Sequence, residues 1–395
     1  MYLMLRPDAA PGPALKTPVP WLAIAAVTAT VSVFAIAQGL SYPLLSFILG
    51  RQGVSPTMIG LSAAMSPLGM MIAATQIPAI VKRLGGIMTV TVCSLLCATL
   101  FALIGLTQNV WLWFPLRFLL GMSVIPLYVL SEVWMMSLAP PQQRGRFMGA
   151  YTSIISLGFA SGPATLAVIG TSGILPFSLG FSAFLICGLF VRLASTRLPP
   201  FHEDEQQGTV RRFLPAAPTL LAAVWVAAAT ETSMLALFPT YGRSMGLEEQ
   251  QLATLLTVFF FGNVALQIPL GLLAERLSAR AVMVLCALFA TGGCALLPMV
   301  LGTPFQWPAI FFWGAFSYGM YTMSVIELGQ RFSGTMLVAG NAAFAMMWGF
   351  GGIAGPPTSG GSMQVLGAHA LPFMLGIFST GLLLLGVVRA RMRSA

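Results

Sequence analysis

The sequence predicts an all-α integral membrane protein, in which twelve transmembrane helices form two six-helix bundles related by a parallel pseudo-two-fold repeat. Three observations predict this fold: an apolar composition, a succession of twelve apolar segments, and motifs that recur in both halves. Of the 395 residues, 57% are hydrophobic and 7% are charged, whereas a soluble domain carries about 25% charged residues. Most of the surface must therefore face lipid.

Twelve apolar segments separated by polar breaks predict the membrane spans. A spanning helix needs roughly 20 apolar residues. Twelve such helices use most of this chain, which excludes a large catalytic domain outside the membrane. The predicted spans are 20–48, 57–80, 87–107, 110–138, 147–169, 173–193, 215–241, 250–273, 281–301, 306–329, 335–365 and 370–389.

One long polar connection divides the spans six and six. We predict an N-terminal bundle over 1–193, a cytoplasmic linker over 194–213 and a C-terminal bundle over 214–395. The linker contains a charged run at 202–207, and its composition is typical of a solvated connection. A regulatory segment is the less favoured alternative.

The basic residues predict how the chain is oriented in the membrane. If the N-terminus is cytoplasmic, every Lys and Arg in a loop or at the end of a span lies on the cytoplasmic side, except Arg51 and Arg243. Cytoplasmic loops carry such an excess, so we expect an inner (plasma) membrane protein with both termini cytoplasmic. The net charge of +9 is explained by this orientation, and we expect no binding of nucleic acid.

Short motifs recur in the two halves, in the same order and at a nearly constant offset. Six spans is an even number, so the second copy enters the membrane in the same direction as the first. A parallel repeat of this kind places a substrate site between the halves, near the midplane of the membrane. The matching pairs are Tyr42-Pro43 with Phe238-Pro239, Gly50-Arg51 with Gly242-Arg243, and Gln76-Ile77-Pro78 with Gln267-Ile268-Pro269.

The loop between spans 8 and 9 carries a Gly, then an acid followed by Arg, then a further basic residue. This segment resembles the cytoplasmic loop signature of the major facilitator superfamily, in its efflux-like permease branch. The counterpart between spans 2 and 3 has Lys82 and Arg83 but lacks the acid and the early Gly. The resemblance implies the fold of that family, secondary transport by alternating access, and a cytoplasmic gate formed by Gly271, Glu275, Arg276 and Arg280.

Glycines and a proline recur in spans 5 and 11. Glycines four residues apart lie on one helix face and allow a neighbouring helix to approach closely, and proline bends the helix. The span 5 pattern also resembles the antiporter signature of exporters, although its closing Gly-Gly is missing. The resemblance implies export, whereas the residues alone imply only tight packing. The motif residues are Gly149, Gly158, Gly162 and Pro163, and then Gly351, Gly355 and Pro356.

Four ionisable residues lie within predicted spans: Arg117, Glu132, Glu231 and Glu327. An ionisable group at the centre of a span costs about 2.5–3.5 kcal/mol on insertion scales, so each needs a reason. All four lie in spans 4, 7 and 10, which the family resemblance places around the central cavity. Glu231 is deepest, and we expect it to bind and release a proton or to pair with a cationic substrate. The alternative is a structural carboxyl held by neighbouring hydroxyls.

The other three charges have comparable alternatives. Arg117, which with Gly121 resembles the family's Arg-x-x-x-Gly signature, would balance a carboxylate, contact an anionic substrate or clamp backbone carbonyls. Glu132 would bind a proton or a substrate, or would pair with Arg144 or Arg146 after span 4. Glu327 would likewise bind a proton or a substrate, or would pair with Arg331, which is four residues later and thus at ion-pair spacing on a helix. Polar residues that would line the same site are Gln38, Tyr128, Asn263 and Tyr321.

The sequence lacks the motifs of several other function classes. It has no phosphate-binding Gly-x-x-x-x-Gly-Lys-Ser/Thr loop, and its two histidines and five cysteines form no metal or catalytic pattern. We therefore predict no enzyme activity, cofactor or metal. We expect a monomer in the lipid bilayer that couples a small organic solute to protons, or to sodium, and exports it by antiport. The alternatives are proton-coupled uptake of a metabolite, or a non-transporting sensor or scaffold.

Overall fold

The computed structural model describes residues 21–107, 109–139, 144–199 and 210–394, and it leaves undescribed the side chains of 144–146, 149 and 390–394. Twelve of its helices are long and apolar enough to cross a membrane, which confirms the predicted fold class. The helices are α1 (Trp21–Arg51), α2 (Pro56–Ala74), α3 (Ile77–Leu84), α4 (Gly86–Thr107), α5 (Val110–Leu138), α6 (Arg144–Ile169), α7 (Leu175–Leu193), α8 (Val210–Phe213), α9 (Pro218–Ser244), α10 (Glu249–Arg276), α11 (Ala279–Val300), α12 (Gln306–Arg331), α13 (Gly334–Leu366) and α14 (Ala370–Ser394).

The long helices alternate in direction, so the bundle has two ends. We call the end at which α1 begins and α14 ends the terminal end, and the opposite one the distal end. Of the predicted linker, residues 200–209 lie outside the described ranges. On either side of them are a short 3-10 turn at Ser195–Arg197 and α8.

The predicted second span, 57–80, is wrong as a single helix, because α2 ends at Ala74 and the short α3 follows. Pro78 lies in the first turn of α3, where its missing N–H has no helical partner to lose. In a continuous helix its ring would clash with the carbonyl four residues earlier, which is that of Ala74. The matching Pro269 lies inside the unbroken α10.

The internal repeat is visible in how the helices pack within each half. At four glycines a Cβ atom would stand only 2.0–2.1 Å from a backbone carbonyl oxygen of the neighbouring helix. The two contacts between α2 and α5 recur between α10 and α12, and all four residues shift by the same 193 positions. The contacts are Gly69 on Phe118 and Gly121 on Ser66, and then Gly262 on Phe311 and Gly314 on Phe259.

The predicted glycine-proline motif lies at a second pair of close helix contacts. Gly158 and Gly162 of α6 lie against α1, where a Cβ at Gly162 would be 2.2 Å from the backbone of Gly39. Gly351 and Gly355 of α13 lie against α9 in the same way. Pro163 and Pro356 lie inside these helices, and the surroundings of Gly149 are outside the described residues.

Candidate transport site

Glu231 interrupts an otherwise buried stretch at the centre of α9. Between Val226 and Phe238 all residues are buried except Glu231, which is partly exposed. Its carboxylate lies within hydrogen-bonding reach of the phenol of Tyr318 on α12. Among the described side chains it has no ion-pair partner. A partly exposed, unpaired acid at this depth is accessible to a small ligand.

Arg117 of α5 is buried, with 3% of its surface exposed. Its Nη1 donates a hydrogen bond of 3.3 Å to the hydroxyl of Ser62 on α2, and its guanidinium carbon lies 5.4 Å from the ring centroid of Tyr42 on α1. Its Nε has no partner, and no carboxylate pairs with it among the described residues. In this conformation Arg117 therefore joins three helices and does not balance an acid.

Tyr42 is the main residue of this region that the sequence did not identify as part of the site. It is 7% exposed and lies close enough to both Arg117 and Glu231 to interact with each electrostatically. The available signal was in the repeat, where Tyr42 stands at the position that Phe238 takes in the second copy. At this position the first copy carries the hydroxyl group of a tyrosine, which the phenylalanine of the second copy lacks.

Glu132 and Tyr128 of α5 face Tyr321 of α12 across the boundary between the halves. The three side chains are partly exposed, and they are close enough to interact electrostatically. Tyr321 is also close enough to Glu231 to interact with it electrostatically, so it lies near both acids. These four partly exposed residues, Tyr128, Glu132, Glu231 and Tyr321, define the region that we call the central cleft.

The remaining predicted binding residues do not open onto the cleft in this conformation. Gln38 of α1 is 3% exposed and Asn263 of α10 is 8% exposed. The two arginines proposed as partners of Glu132, Arg144 and Arg146, have side chains outside the described residues.

Glu327 lies away from the cleft, near the terminal end of α12. It is nine residues beyond Tyr318, or about 13 Å along the helix. Its Oε1 accepts a hydrogen bond of 2.9 Å from Arg331 and another from Arg280 of α11. Among the described residues, Arg280 is thus the one member of the predicted gate motif with an ion pair, whereas Glu275 and Arg276 are exposed and a Cβ at Gly271 would meet no atom within 4 Å.

The distal end carries an ion pair between the two halves. Arg51, at the end of α1, donates to the Glu249 carboxylate of α10 at 2.5 Å and to the hydroxyl and carbonyl oxygens of Thr171 at 2.7 and 2.8 Å. The Thr171 hydroxyl also hydrogen-bonds Glu249. We call Arg51, Thr171 and Glu249 the distal latch. From the sequence, Arg51 was considered only in the charge count that orients the chain in the membrane and in the internal repeat.

Other contacts close the distal end further. Ser46 of α1 donates to the carbonyl oxygen of Ala236 on α9. A Cβ at Gly60 of α2 would stand 2.2 Å from the carbonyl oxygen of Pro356 on α13, and one at Gly360 would stand 2.3 Å from that of Pro56. The distal parts of the halves are therefore in tight contact.

Comparisons with family models, with related sequences and with solved structures all point to membrane transporters of one superfamily. A family model described as Major Facilitator Superfamily matches residues 27–248 and 220–394. The chain is similar to the uncharacterized MFS-type transporter YfkF of Bacillus subtilis (strain 168), with 29% identity over 346 residues, covering 85% of this chain and 87% of that protein. Its fold is similar to a mutant of the nucleoside transporter NupG (TM-score 0.77, 13% identity, 93% of this chain and 99% of that one). It is also similar to a D-xylose-proton symporter (TM-score 0.71, 16% identity, 93% and 97%).

Proposed function

Because this chain belongs to the major facilitator superfamily, and is a multi-pass membrane transporter rather than an enzyme, we propose that it couples the transport of a small organic solute to proton movement through Glu231. The observation that supports the proposal is the exposure of Glu231 at the centre of the buried α9. The Tyr318 phenol lies next to its carboxylate, and among the described residues it has no ion-pair partner. A lone intramembrane acid of this kind is a default candidate for a proton relay.

We further propose that the terminal end is cytoplasmic. The described Lys and Arg residues of the loops and helix ends lie at this end, with the exceptions of Arg51 and Arg243 at the distal end, as the positive-inside rule requires. With this orientation the distal latch closes the outer side, and the cleft is reached from the cytoplasm. The proposal covers both termini and the inner membrane location.

We propose export, by exchange for protons, as the direction of transport. The support is the resemblance of the span 5 motif to the antiporter signature, whose glycines Gly158 and Gly162 pack closely on α1. Uptake by symport is the second candidate, and the similarity of fold to a protein titled D-xylose-proton symporter favours it.

Proton flux in proteoliposomes tests the coupling. Purified protein is reconstituted with a pH-sensitive dye inside, pooled candidate solutes are added, and wild type is compared with Glu231→Gln. The control is Glu248→Gln, which removes the same charge from an exposed position at the distal end. We expect solute-evoked proton movement in wild type and in the control, and none in Glu231→Gln.

The other outcomes are equally informative. If solute-evoked proton movement survives in Glu231→Gln, the coupling site is at Glu132 or Glu327 instead. A solute that is transported without any proton movement refutes proton coupling, and sodium dependence is then measured. The sign of the pH change inside the vesicles distinguishes exchange from symport.

A further inference from the structure

The ionisable groups that open onto the central cleft carry one sign of charge. Glu132 and Glu231 are both partly exposed there, one from each half. Arg117, the basic residue of α5 that lies within the membrane spans, is 3% exposed and its guanidinium lies against the ring of Tyr42. Among the described side chains, the two carboxylates of the cleft are therefore accessible to a ligand, whereas the guanidinium of Arg117 is buried.

Aromatic rings lie beside both acids. Tyr321 lies close enough to Glu132 and to Glu231 to interact electrostatically with each, and its ring packs edge-on against Trp348 with centroids 5.0 Å apart. Tyr128, next to Glu132, packs against Phe34 at 6.3 Å. Aromatic faces attract cations through the ring quadrupole, and the attraction grows when the cation loses its water. Rings and carboxylates together form a surface suited to a large, weakly hydrated cation.

From this arrangement we infer that the transported solute is an organic cation, with an aromatic or quaternary group that lies against Tyr321 and a charge that lies between Glu132 and Glu231. The inference rests on the proposed function, because it names the substrate class of the same site. An unpaired carboxylate in a low-dielectric site is unfavourable, and a bound cation relieves this. An anion of the same size would add to the repulsion.

The two acids also explain how a cation and a proton share the cleft. The two ionised carboxylates attract the cation, and a proton that binds to either of them removes part of the negative charge that holds it, so cation and proton compete for the same acids. Release of the proton makes the site attractive for the cation again. The pair of acids thus matches exchange of one organic cation for protons.

Binding of two probes of equal shape and opposite charge tests the inference. Tetraphenylphosphonium and tetraphenylborate are titrated by equilibrium dialysis against the full-length protein in phosphatidylcholine nanodiscs, with empty nanodiscs as the blank. We expect saturable binding of the phosphonium and only the blank level of binding for the borate. Glu132→Gln and Glu231→Gln are expected to weaken phosphonium binding by about tenfold each, and Glu248→Gln to leave it unchanged.

Several results would overturn the inference. One is that the borate binds as tightly as the phosphonium. Another is that the phosphonium still binds to the double variant with Glu132→Gln and Glu231→Gln. A third is that Glu248→Gln loses as much phosphonium binding as the variants of the cleft. If the variants do not fold, the comparison of the two probes on wild type still decides. Phosphonium binding without proton flux upholds the substrate class and refutes the coupling. Proton flux evoked by neutral or anionic solutes alone, with no phosphonium binding, refutes the substrate class and leaves the coupling intact.

Discussion

The distal latch predicts a measurable shift in the balance between conformations. Glu249→Ala removes the only carboxylate that joins the halves at this end among the described residues, together with its bonds from Arg51 and Thr171. The side chains of Arg51 and Glu249 are 31% and 27% exposed, so the ion pair contributes about 0.2–1 kcal/mol. The hydrogen bond from Thr171 adds about 0.5–1.5 kcal/mol.

These contacts exist only while the distal end is closed. The variant therefore destabilises the closed state by about 1–2 kcal/mol, which is roughly a 5- to 30-fold change in the ratio of conformations. Distances between spin labels on Thr107→Cys and Gln364→Cys, which are exposed at the distal ends of α4 and α13, report the opening. The background replaces Cys93, since the other four cysteines are buried.

The repeat supplies a matched control for this measurement. Arg243 follows the same Gly in the second half, and it is exposed and without an ion-pair partner among the described residues. We expect Arg51→Ala to open the distal end about as much as Glu249→Ala, and the double variant to open it little further. Equal opening in Arg243→Ala, or strictly additive effects of the two single variants, would refute the latch.

Two further predictions concern stability, and thermal unfolding in detergent followed by tryptophan fluorescence checks both. Gly162→Ala forces a methyl group into the contact between α6 and α1 and is expected to destabilise by about 1–3 kcal/mol, whereas Gly271→Ala, which meets open space, should not lower the unfolding temperature. Glu327→Gln leaves Arg280 and Arg331 without their shared carboxylate and is expected to lower the free energy of unfolding by about 1.5–3 kcal/mol. The same change at the exposed Glu275 should have no effect. A similar loss of stability in Glu275→Gln would contradict the role assigned to the ion pairs of Glu327.

The fold was predictable because membrane insertion depends on composition and length, which are properties of the sequence itself. The spans, their number and the internal repeat all follow from apolar runs and short motifs. The break after Ala74 was not predictable on the same grounds, because the identical Gln-Ile-Pro triplet begins a new helix in one half and lies within a continuous helix in the other. Local sequence does not decide between a kink and a break.

The site was predictable in its residue types but not in its pairings. Charges inside the spans singled out Arg117 and Glu231 as candidates, since an ionisable group within a span needs a reason. Which groups face each other depends on how each helix is rotated, and a rotation of one residue would separate Tyr42 from Arg117. The distal latch depends in addition on a loop residue, Thr171, whose position no helical period encodes. Such contacts between elements require coordinates.

The reciprocal glycine contacts of α2 with α5 and of α10 with α12 have a mechanical consequence. Backbones in such close contact at matching positions of both halves cannot slide past one another without a steric collision. We therefore expect α2 to move together with α5, and α10 together with α12, when the protein changes conformation. The relative movement then falls on the contacts between the halves, where the acids, the phenols and the latch lie, and where Tyr42 of the first copy stands in place of Phe238 of the second.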